Sequence, residues 1–271
     1  MSKPIITLTT DFGLRDPYVA SMKGVIYRLA PETTIVDITH EIPPQAIEEA
    51  AYTLAQAHGW FPAETIHVAV VDPGVGTARR PLLARAGGHY FIAPDNGLLS
   101  PALQRAAAGT GALEVWHCTA SQYWLAQRSQ TFHGRDVFAP MAAWLARGLE
   151  PSNLGKRITD FRRLDLPRPR REGDKNNRIV GVILHQDRFG NLITNLTPRD
   201  LEWPAGQLRR WRGHAGQTEL IELRDCYEGA FGQVFAIWGS AGWLEISSTA
   251  ASAAELTGLK RGDEVIFEPT P

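Results

Sequence analysis

The first half of the chain alternates apolar runs of strand length with longer amphipathic segments. Three runs are rich in β-branched residues and predict buried strands, namely PIITLTTDF, TTIVDITH and TIHVAVVDP. The segment between the first two places Val19, Met22, Ile26 and Leu29 at helical spacing and predicts an amphipathic helix. Because strands and helices alternate, the pattern predicts an α/β sandwich on a mostly parallel sheet.

Three further segments extend this N-terminal pattern. PPQAIEEAAYTLAQAHGWF places proline before a run of helix-forming Ala and Glu, and predicts a second helix. PLLARAGGHYFIAPDNG predicts a pair of strands joined as a hairpin, and GRDVFAPMAAWLARG predicts a helix that closes at Gly148. We therefore expect one α/β domain over residues 1–164.

The pattern changes after residue 164. Residues 165–178 combine Pro, Arg and Gly with few apolar side chains, and predict a linker. From residue 179 onward the runs are short, β-rich and separated by turns: IVGVILHQDRFGNLITNL, QTELIELRDCYEGA, QVFAIWGSAGWLEISS and GDEVIFEP. They predict a smaller all-β domain over residues 179–271, a barrel or a sandwich.

Composition narrows the class of protein. The formal net charge is -1 and the pI is about 6.7, which argues against non-specific binding to polyanions. The arginines of FRRLDLPRPRREGDKNNR are interrupted by Pro, Asp and Glu, which favours a solvated linker over a basic patch.

Cys118 and Cys226 have no metal-ligand spacing and predict two thiols. With neither a leader-like apolar segment nor a membrane-length run, we expect a soluble, cytoplasmic protein.

The stretch HVAVVDPGVGTARR, residues 67–80, ends a predicted strand with an acid, two glycines and two arginines. It lacks the Gly-Lys-Ser/Thr of a phosphate loop, and Arg79 stands where a dinucleotide fingerprint needs its third glycine. What remains is Asp72 at the end of a strand, where open α/β sheets bind ligands, and a turn that can fold Arg79 back onto it. A structural Asp in a turn and an exposed Arg are the alternative.

Two other segments supply candidate chemistry. TTDFG places Asp11 at the end of the first strand, where a carboxylate commonly accepts both hydroxyls of a ribose; an Asx turn or helix cap is the alternative. TFHGRDVFAP places His133 beside a glycine and a predicted helix start, which favours a site over an ordinary core or surface histidine.

Taken in order, seven motifs resemble one family, the S-adenosylmethionine hydrolases or hydroxide adenosyltransferases, which are related to fluorinase and chlorinase. The motifs are LTTDFG, DITHEIPP, VVDPGVGTARR, APDNG, TFHGRDVFAP, HQDRFGNLITN and GSAGWLEIS. The resemblance covers essentially the whole chain. It implies an N-terminal α/β domain, a C-terminal β-barrel, and a homotrimer with the adenosine site between the N-terminal domain of one subunit and the C-terminal domain of the next.

The resemblance also implies roles for single residues. Family members that use water are distinguished by an Asp-Arg-His set, which corresponds here to Asp72, Arg79 and His133, whereas the halogenating relatives have an aromatic in place of Asp72. The remaining implied substrate contacts are Asp11 for the ribose, Phe132 and Gly134 where the halogenases bind halide, Asp187, Phe189 and Asn191 for methionine and adenine stacking, and Ser240 and Glu245 for methionine and adenine.

The chain departs from the halogenases at three places. One residue fewer separates Asp187 from Phe189, Ala241 replaces an arginine, and a tryptophan near the ribose is replaced around Gln45. The contacts with the amino-acid part of the substrate, and one wall of the ribose pocket, are therefore expected to differ from those of the halogenases.

The resemblance implies hydrolysis of S-adenosyl-L-methionine to adenosine and L-methionine through attack of activated water at C5′. The sequence leaves open whether Asp72 or His133 accepts the proton. We expect no cofactor and no metal, since the histidines lack HxH or HExxH spacing. We also expect neither nucleic acid nor membrane as a partner. Two alternatives are a halide adenosyltransferase, which the Asp-Arg-His set opposes, and a non-enzymatic S-adenosylmethionine or adenosine sensor.

Overall fold

The chain forms two compact units in a computed structural model, Met1–Asp165 and Leu166–Pro271. The structure describes residues 3–109, 111–173, 178–201, 211–215, 218–220, 223–229 and 231–269. Part of the predicted run QTELIELRDCYEGA therefore lies outside the described residues.

The N-terminal unit is built on one mixed sheet with helices on both faces. Its strands are β1 (Ile5–Thr10), β2 (Thr34–Thr39), β3 (Ile66–Val70), β4 (Pro81–Ala86), β5 (His89–Pro94), β6 (Leu113–Cys118) and β7 (Gly155–Arg157). Its α-helices are α1 (Tyr18–Leu29), α2 (Ile47–Ala57), α3 (Ser100–Ala107) and α4 (Ala139–Ala146). The α/β prediction is thus confirmed, and it missed α3 and β6.

The strand order is β2-β1-β3-β5-β4-β6-β7. The first four strands in this order are parallel, as predicted. The other three pairs, β5 with β4, β4 with β6 and β6 with β7, are antiparallel. The first follows from the predicted hairpin, because a short connection between β4 and β5 reverses the chain. The sheet is therefore mixed, with its parallel part confined to one half.

Alternation along the strands fills a separate core on each face of this sheet. Val68 and Val70 pack with α1 and α4, whereas Ala69 and Val71 pack with α2 and α3. In α1, the predicted periodicity buries Val19, Met22 and Ile26 and leaves Leu29 partly buried. The parallel strands therefore end at a common edge between two packed helical layers.

The C-terminal unit is β-rich. Its elements are β8 (Arg170–Glu172), β9 (Arg178–Gln186), β10 (Leu192–Thr194), β11 (Trp211–Ala215), β12 (Thr218–Leu220), β13 (Leu223–Arg224), β14 (Val234–Trp238), β15 (Leu244–Ser248), α5 (Ala253–Thr257) and β16 (Glu264–Pro269). The strand order β12-β11-β16-β9-β10-β15-β14-β13 forms a curled sheet, a half-barrel, and β8 pairs with β9. The predicted barrel is thus a half-barrel, and part of the segment predicted as a linker is β8.

One further property concerns membranes. In the parts of the chain that the structure describes, none of the helices combines the length and apolar character that spanning a bilayer requires.

Candidate active site

A tight loop joins β3 to β4 and carries Asp72 and Arg79. Backbone bonds from Val75 to the Asp72 carbonyl, 3.1 Å, and from Thr77 to the Gly74 carbonyl, 3.2 Å, fold it into consecutive turns. Gly76 has φ +79°, and a Cβ there would lie 2.5 Å from the carbonyl oxygen of Gln130. Only glycine fits this backbone, which brings the loop against the segment before His133.

The loop places Arg79 directly on Asp72. Its Nε donates to both carboxylate oxygens, at 3.0 and 2.9 Å, and its Nη2 also donates to Oδ2. Only 6% of the Asp72 side chain and 10% of the Arg79 side chain are exposed. Arg79 also lies over the Phe138 ring at 5.2 Å. A buried forked ion pair of this kind fixes the orientation of both groups.

His133 joins this pair although it lies 54 residues from Arg79 in sequence. Its Nδ1 is 2.7 Å from Arg79 Nη2. A guanidinium only donates, so Nδ1 accepts, and the neutral ring carries its proton on Nε2. Burial, and then the charge of Arg79, lower the pKa of His133 below its ordinary value. The structure therefore holds a carboxylate, a guanidinium and a neutral imidazole in one chain of hydrogen bonds.

His133 is positioned by a π-helical turn, Gly134–Phe138, that leads into α4. Pro140 has no N–H to donate to the Asp136 carbonyl, and the Leu125 N–H donates to that oxygen instead, at 2.9 Å. The predicted helix over 134–148 thus begins with a wider turn, and Leu125 satisfies the carbonyl that Pro140 leaves without a helical donor.

Asp11 follows β1, next to the loop that follows β3, because Thr10 pairs with Val70. Its Oδ2 accepts the backbone N–H of Gln45 at 2.8 Å, where Gln45 has φ +65°.

Aromatic rings connect the Asp11 segment to the His133 segment. Phe12 and Phe132 have ring centroids 5.8 Å apart, and Tyr18 lies 5.0 Å from Phe132. Gly134 is buried under this group, and a Cβ there would lie 3.2 Å from Phe12, Phe132 and Met22. Asp11, Phe132 and Gly134 therefore lie around one edge of the N-terminal sheet.

The other predicted site residues lie in the C-terminal unit. A cleft of about 1040 Å³ is lined by all five of them, Asp187, Phe189, Asn191, Ser240 and Glu245. Phe189 is 77% exposed, and Ser240 lies in the turn between β14 and β15.

Asp187 organises the turn on one side of this cleft. Its Oδ1 accepts the N–H groups of Phe189 and Asn191, at 2.9 and 2.8 Å, and its Oδ2 accepts Asn191 Nδ2 at 2.9 Å. These bonds fix the Asn191 amide and leave the Phe189 ring facing outward.

Tyr227 is a cleft residue that the sequence analysis missed. Its hydroxyl donates to Glu245 Oε2 at 3.0 Å. Burial raises the pKa of Glu245, against the opposing effect of this bond, and burial and the Glu245 charge raise the pKa of Tyr227 to about 12. Tyr227 lies in a turn-rich segment without periodicity, so no sequence pattern singled it out.

The described residues hold no group of three or more His, Cys, Asp or Glu side chains arranged to bind a metal ion.

The N-terminal fold defines the class of site: polar side chains gathered at the ends of parallel strands in a layered α/β sheet, the position at which such sheets bind ligands. Comparison with family models is more specific. The SAM hydroxide adenosyltransferase N-terminal domain matches residues 6–155, and the C-terminal domain of the same family matches residues 181–266. The chain belongs to the SAM hydroxide adenosyltransferase family, where SAM is S-adenosyl-L-methionine.

Named relatives agree with this membership. The chain is 39% identical to the (R)-S-adenosyl-L-methionine hydrolase of Thermus thermophilus, over 96% of this chain and 97% of that protein. It is 36% identical to the Salinispora arenicola protein of the same name, over 97% of each. It is 28% identical to the fluorinase of Nocardia brasiliensis, over 97% and 96%.

A solved structure shows the same fold. An uncharacterized conserved protein from Thermotoga maritima superposes with a TM-score of 0.88 at 32% identity, over 97% of this chain and 99% of that one.

Proposed function

We propose that this protein hydrolyses S-adenosyl-L-methionine to adenosine and L-methionine by attack of water at C5′. Its family and its hydrolase-named relatives at 36% and 39% identity support this reaction. The observation that carries the mechanism is the hydrogen-bonded set of Asp72, Arg79 and His133 at the strand ends. A set of this composition suits a reaction that must hold water and remove its proton.

The chemistry needs little beyond positioning. The sulfonium is an activated leaving group, because the C5′–S electron pair returns to sulfur and methionine departs as a neutral thioether. Water forms the new O–C5′ bond opposite that sulfur, and one proton must leave the oxygen. Holding water in line with the breaking bond contributes several kcal/mol, and a positioned base contributes about 10² to 10⁴ in rate.

The geometry favours Asp72 as the acceptor of that proton. His133 Nδ1 is occupied by Arg79, so the ring presents a protonated Nε2, which donates to oxygen and does not accept from it. A carboxylate has about four lone-pair sites, so Asp72 can accept a further bond besides those from Arg79. In this scheme His133 orients the water, and Arg79 holds both partners in place.

The other residues supply binding. Asp11 accepts the ribose hydroxyls, and Phe132 and Gly134 close the pocket near C5′. On the C-terminal side, Asp187 and Asn191 are the proposed partners of the methionine group.

The same cleft provides the remaining contacts. Phe189 is the proposed stacking partner of adenine, and its 77% exposure supports this because the ring face is open to a ligand. Ser240 and Glu245 are the proposed polar contacts of methionine and adenine.

The proposal includes a homotrimer, as the family resemblance implies, in which the N-terminal unit of one subunit and the C-terminal unit of its neighbour bind one substrate. It also assigns no cofactor and no metal to the reaction, because the sulfonium departs as a neutral group without Lewis-acid assistance. Sedimentation at catalytic concentrations tests the first point, and full activity after dialysis against a chelator tests the second.

Product analysis tests the proposed function. Purified protein is incubated with S-adenosyl-L-methionine and excess chloride, and the products are identified by mass spectrometry. Adenosine and methionine are expected, with their formation slowed about 10² to 10⁴-fold in Asp72→Asn. Chloroadenosine would establish a halide adenosyltransferase instead, and intact substrate in a stoichiometric complex would establish a sensor.

A further inference from the structure

The motif APDNG, residues 93–97, has no part in the proposed chemistry. Its two polar residues nevertheless contact the loop between β3 and β4 that carries Asp72 and Arg79, which we call the catalytic loop. That loop has two attachment points: Val71, just before Asp72, and Arg80, just after Arg79. Asn96 Nδ2 donates to the Val71 carbonyl at 2.8 Å. Asp95 accepts Arg80 Nε at 2.7 Å and donates its own N–H to the Arg80 carbonyl at 2.8 Å.

The side chain of Asp95 is fixed by burial and by hydrogen bonds to both of its carboxylate oxygens. It is 5% exposed, and its second carboxylate oxygen accepts the N–H of Arg162 at 2.7 Å. Arg80 in turn donates to the side chain and the carbonyl of Asp160, at 2.9 and 2.8 Å. A buried carboxylate with charge-assisted bonds on both oxygens is a stiff anchor.

Asn96 is oriented by its own local turn. Its Oδ1 accepts the N–H of Leu98 at 3.2 Å, which directs the amide nitrogen to Val71. Gly97 has φ +95°, and a Cβ there would lie 2.9 Å from Leu164, so the turn requires glycine. The bonds of Asp95 and Asn96 thus reach the residues beside Asp72 and Arg79, and act on those two through the backbone.

We infer that Asp95 and Asn96 are positioning residues that hold the two ends of the catalytic loop at the separation at which Arg79 bridges Asp72 and His133. The kinetic part of this inference rests on the proposed hydrolase function, whereas its structural part does not. Releasing either end lets Arg79 move relative to His133, which sets the water out of line with C5′.

The sharpest variant is Asn96→Asp. It keeps the side-chain size and the oxygen that accepts from Leu98, but it replaces the donor to Val71 with an acceptor. Asn153→Asp is the matched control, because Asn153 is exposed in a short turn, Pro151–Asn153, of the same unit. Asn96→Ala removes the same donor without adding charge, and Asp95→Asn weakens the other end.

Two readouts are measured on each folded variant. The first is the split between kcat and KM: we expect kcat to fall about 10- to 100-fold with KM within threefold, because misplacement of about 1 Å has effects of this size. The second is the ¹⁵N NMR signal of the His133 ring, assigned with His133→Gln. Wild type and Asn153→Asp should show the Nε2-protonated form, whereas Asn96→Asp, Asn96→Ala and Asp95→Asn should show a mixture with the Nδ1-protonated form.

The two readouts separate the failures. Wild-type kcat together with a wild-type His133 tautomer in Asn96→Asp, Asn96→Ala and Asp95→Asn would overturn the inference. If the wild-type protein hydrolyses nothing, the proposed function fails and the tautomer alone decides the positioning role. Where one variant does not fold, the other two decide: Asn96→Asp and Asn96→Ala remove the same bond by different substitutions, and Asp95→Asn weakens the bonds at the other end.

Discussion

The two units hold their candidate site residues in different ways. In the N-terminal unit, Asp72, Arg79 and His133 are bonded mainly to one another; the side chains of Asp72 and Arg79 are largely withdrawn from solvent, and His133 is half-buried. In the C-terminal unit, Asp187 and Tyr227 are bonded to neighbours within an open cleft. In the N-terminal unit, hydrogen bonds fix the relative positions of the three side chains before any ligand binds. In the C-terminal unit, the cleft leaves side chains exposed, and a ligand can cover them.

This difference predicts a division of labour. Preorganised groups act on the transition state, so their loss should lower kcat, whereas groups that contact substrate and transition state alike should chiefly change KM. Each of the following measurements can break or sharpen that division.

The largest effect should follow from removing the carboxylate. Asp72→Asn keeps the shape but removes the proposed proton acceptor, and kcat should fall about 10² to 10⁴-fold with KM within threefold. Steady-state kinetics measure both constants, and the exposed Asp165→Asn is the control for an isosteric change of the same kind. A kcat within threefold of wild type would remove Asp72 from the mechanism.

The next effect lies in the C-terminal cleft. Asp187→Ala deletes the acceptor of three hydrogen bonds that shape the turn at Phe189 and Asn191. We expect KM to rise at least about 10-fold, since net bonds to a charged acceptor are each worth about 1.5–3 kcal/mol. A comparable fall in kcat at saturating substrate, with KM unchanged, would contradict the division of labour.

The titration of His133 should show that the three groups of the N-terminal unit act on one another. Burial and the Arg79 charge lower the pKa of His133, so the neutral ring that accepts from Arg79 persists below pH 6.5. In Arg79→Gln the cation is lost and the His133 pKa should rise; in Asp72→Asn the opposing anion is lost and it should fall further. NMR titration of His133 measures both shifts, and equal values in all three proteins would show that the groups do not interact.

A smaller effect is expected at Tyr227. Tyr227→Phe removes the donor to Glu245 but keeps the ring, so KM should change about 2- to 10-fold, as one net hydrogen bond of about 0.5–1.5 kcal/mol allows. Because this bond lowers the pKa of Glu245, its removal should raise that pKa further and shift the pH dependence of KM upward. A change in kcat alone would place Tyr227 with the catalytic groups.

Sequence reasoning located the strand ends and the pairing of Asp72 with Arg79 because both depend on short-range chemistry. A continuous apolar run ended at Val71, and a loop with two glycines can return the chain within a few residues. The position of His133 has no such local signal, since 54 residues separate it from Arg79. The neighbouring glycine and predicted helix start marked His133 as a candidate, and the family resemblance grouped it with Asp72 and Arg79.

Other features could not be predicted from the sequence because they depend on contacts between distant parts of the chain. The half-sheet formed by β4, β6 and β7 depends on long-range pairing, which periodicity does not specify. The motif containing Asp95 and Asn96 was visible in the sequence, but its bonds to Val71 and Arg80 appear only when β3, β4 and β5 are side by side.

The measurement that tests the central claim most directly is hydrolysis in ¹⁸O-labelled water, with the position of the label determined by mass spectrometry. Attack at C5′ predicts adenosine that carries one ¹⁸O in its 5′-hydroxyl, and unlabelled methionine. Unlabelled adenosine, or label in homoserine formed together with methylthioadenosine, would contradict the account, because water would then have attacked elsewhere or not at all.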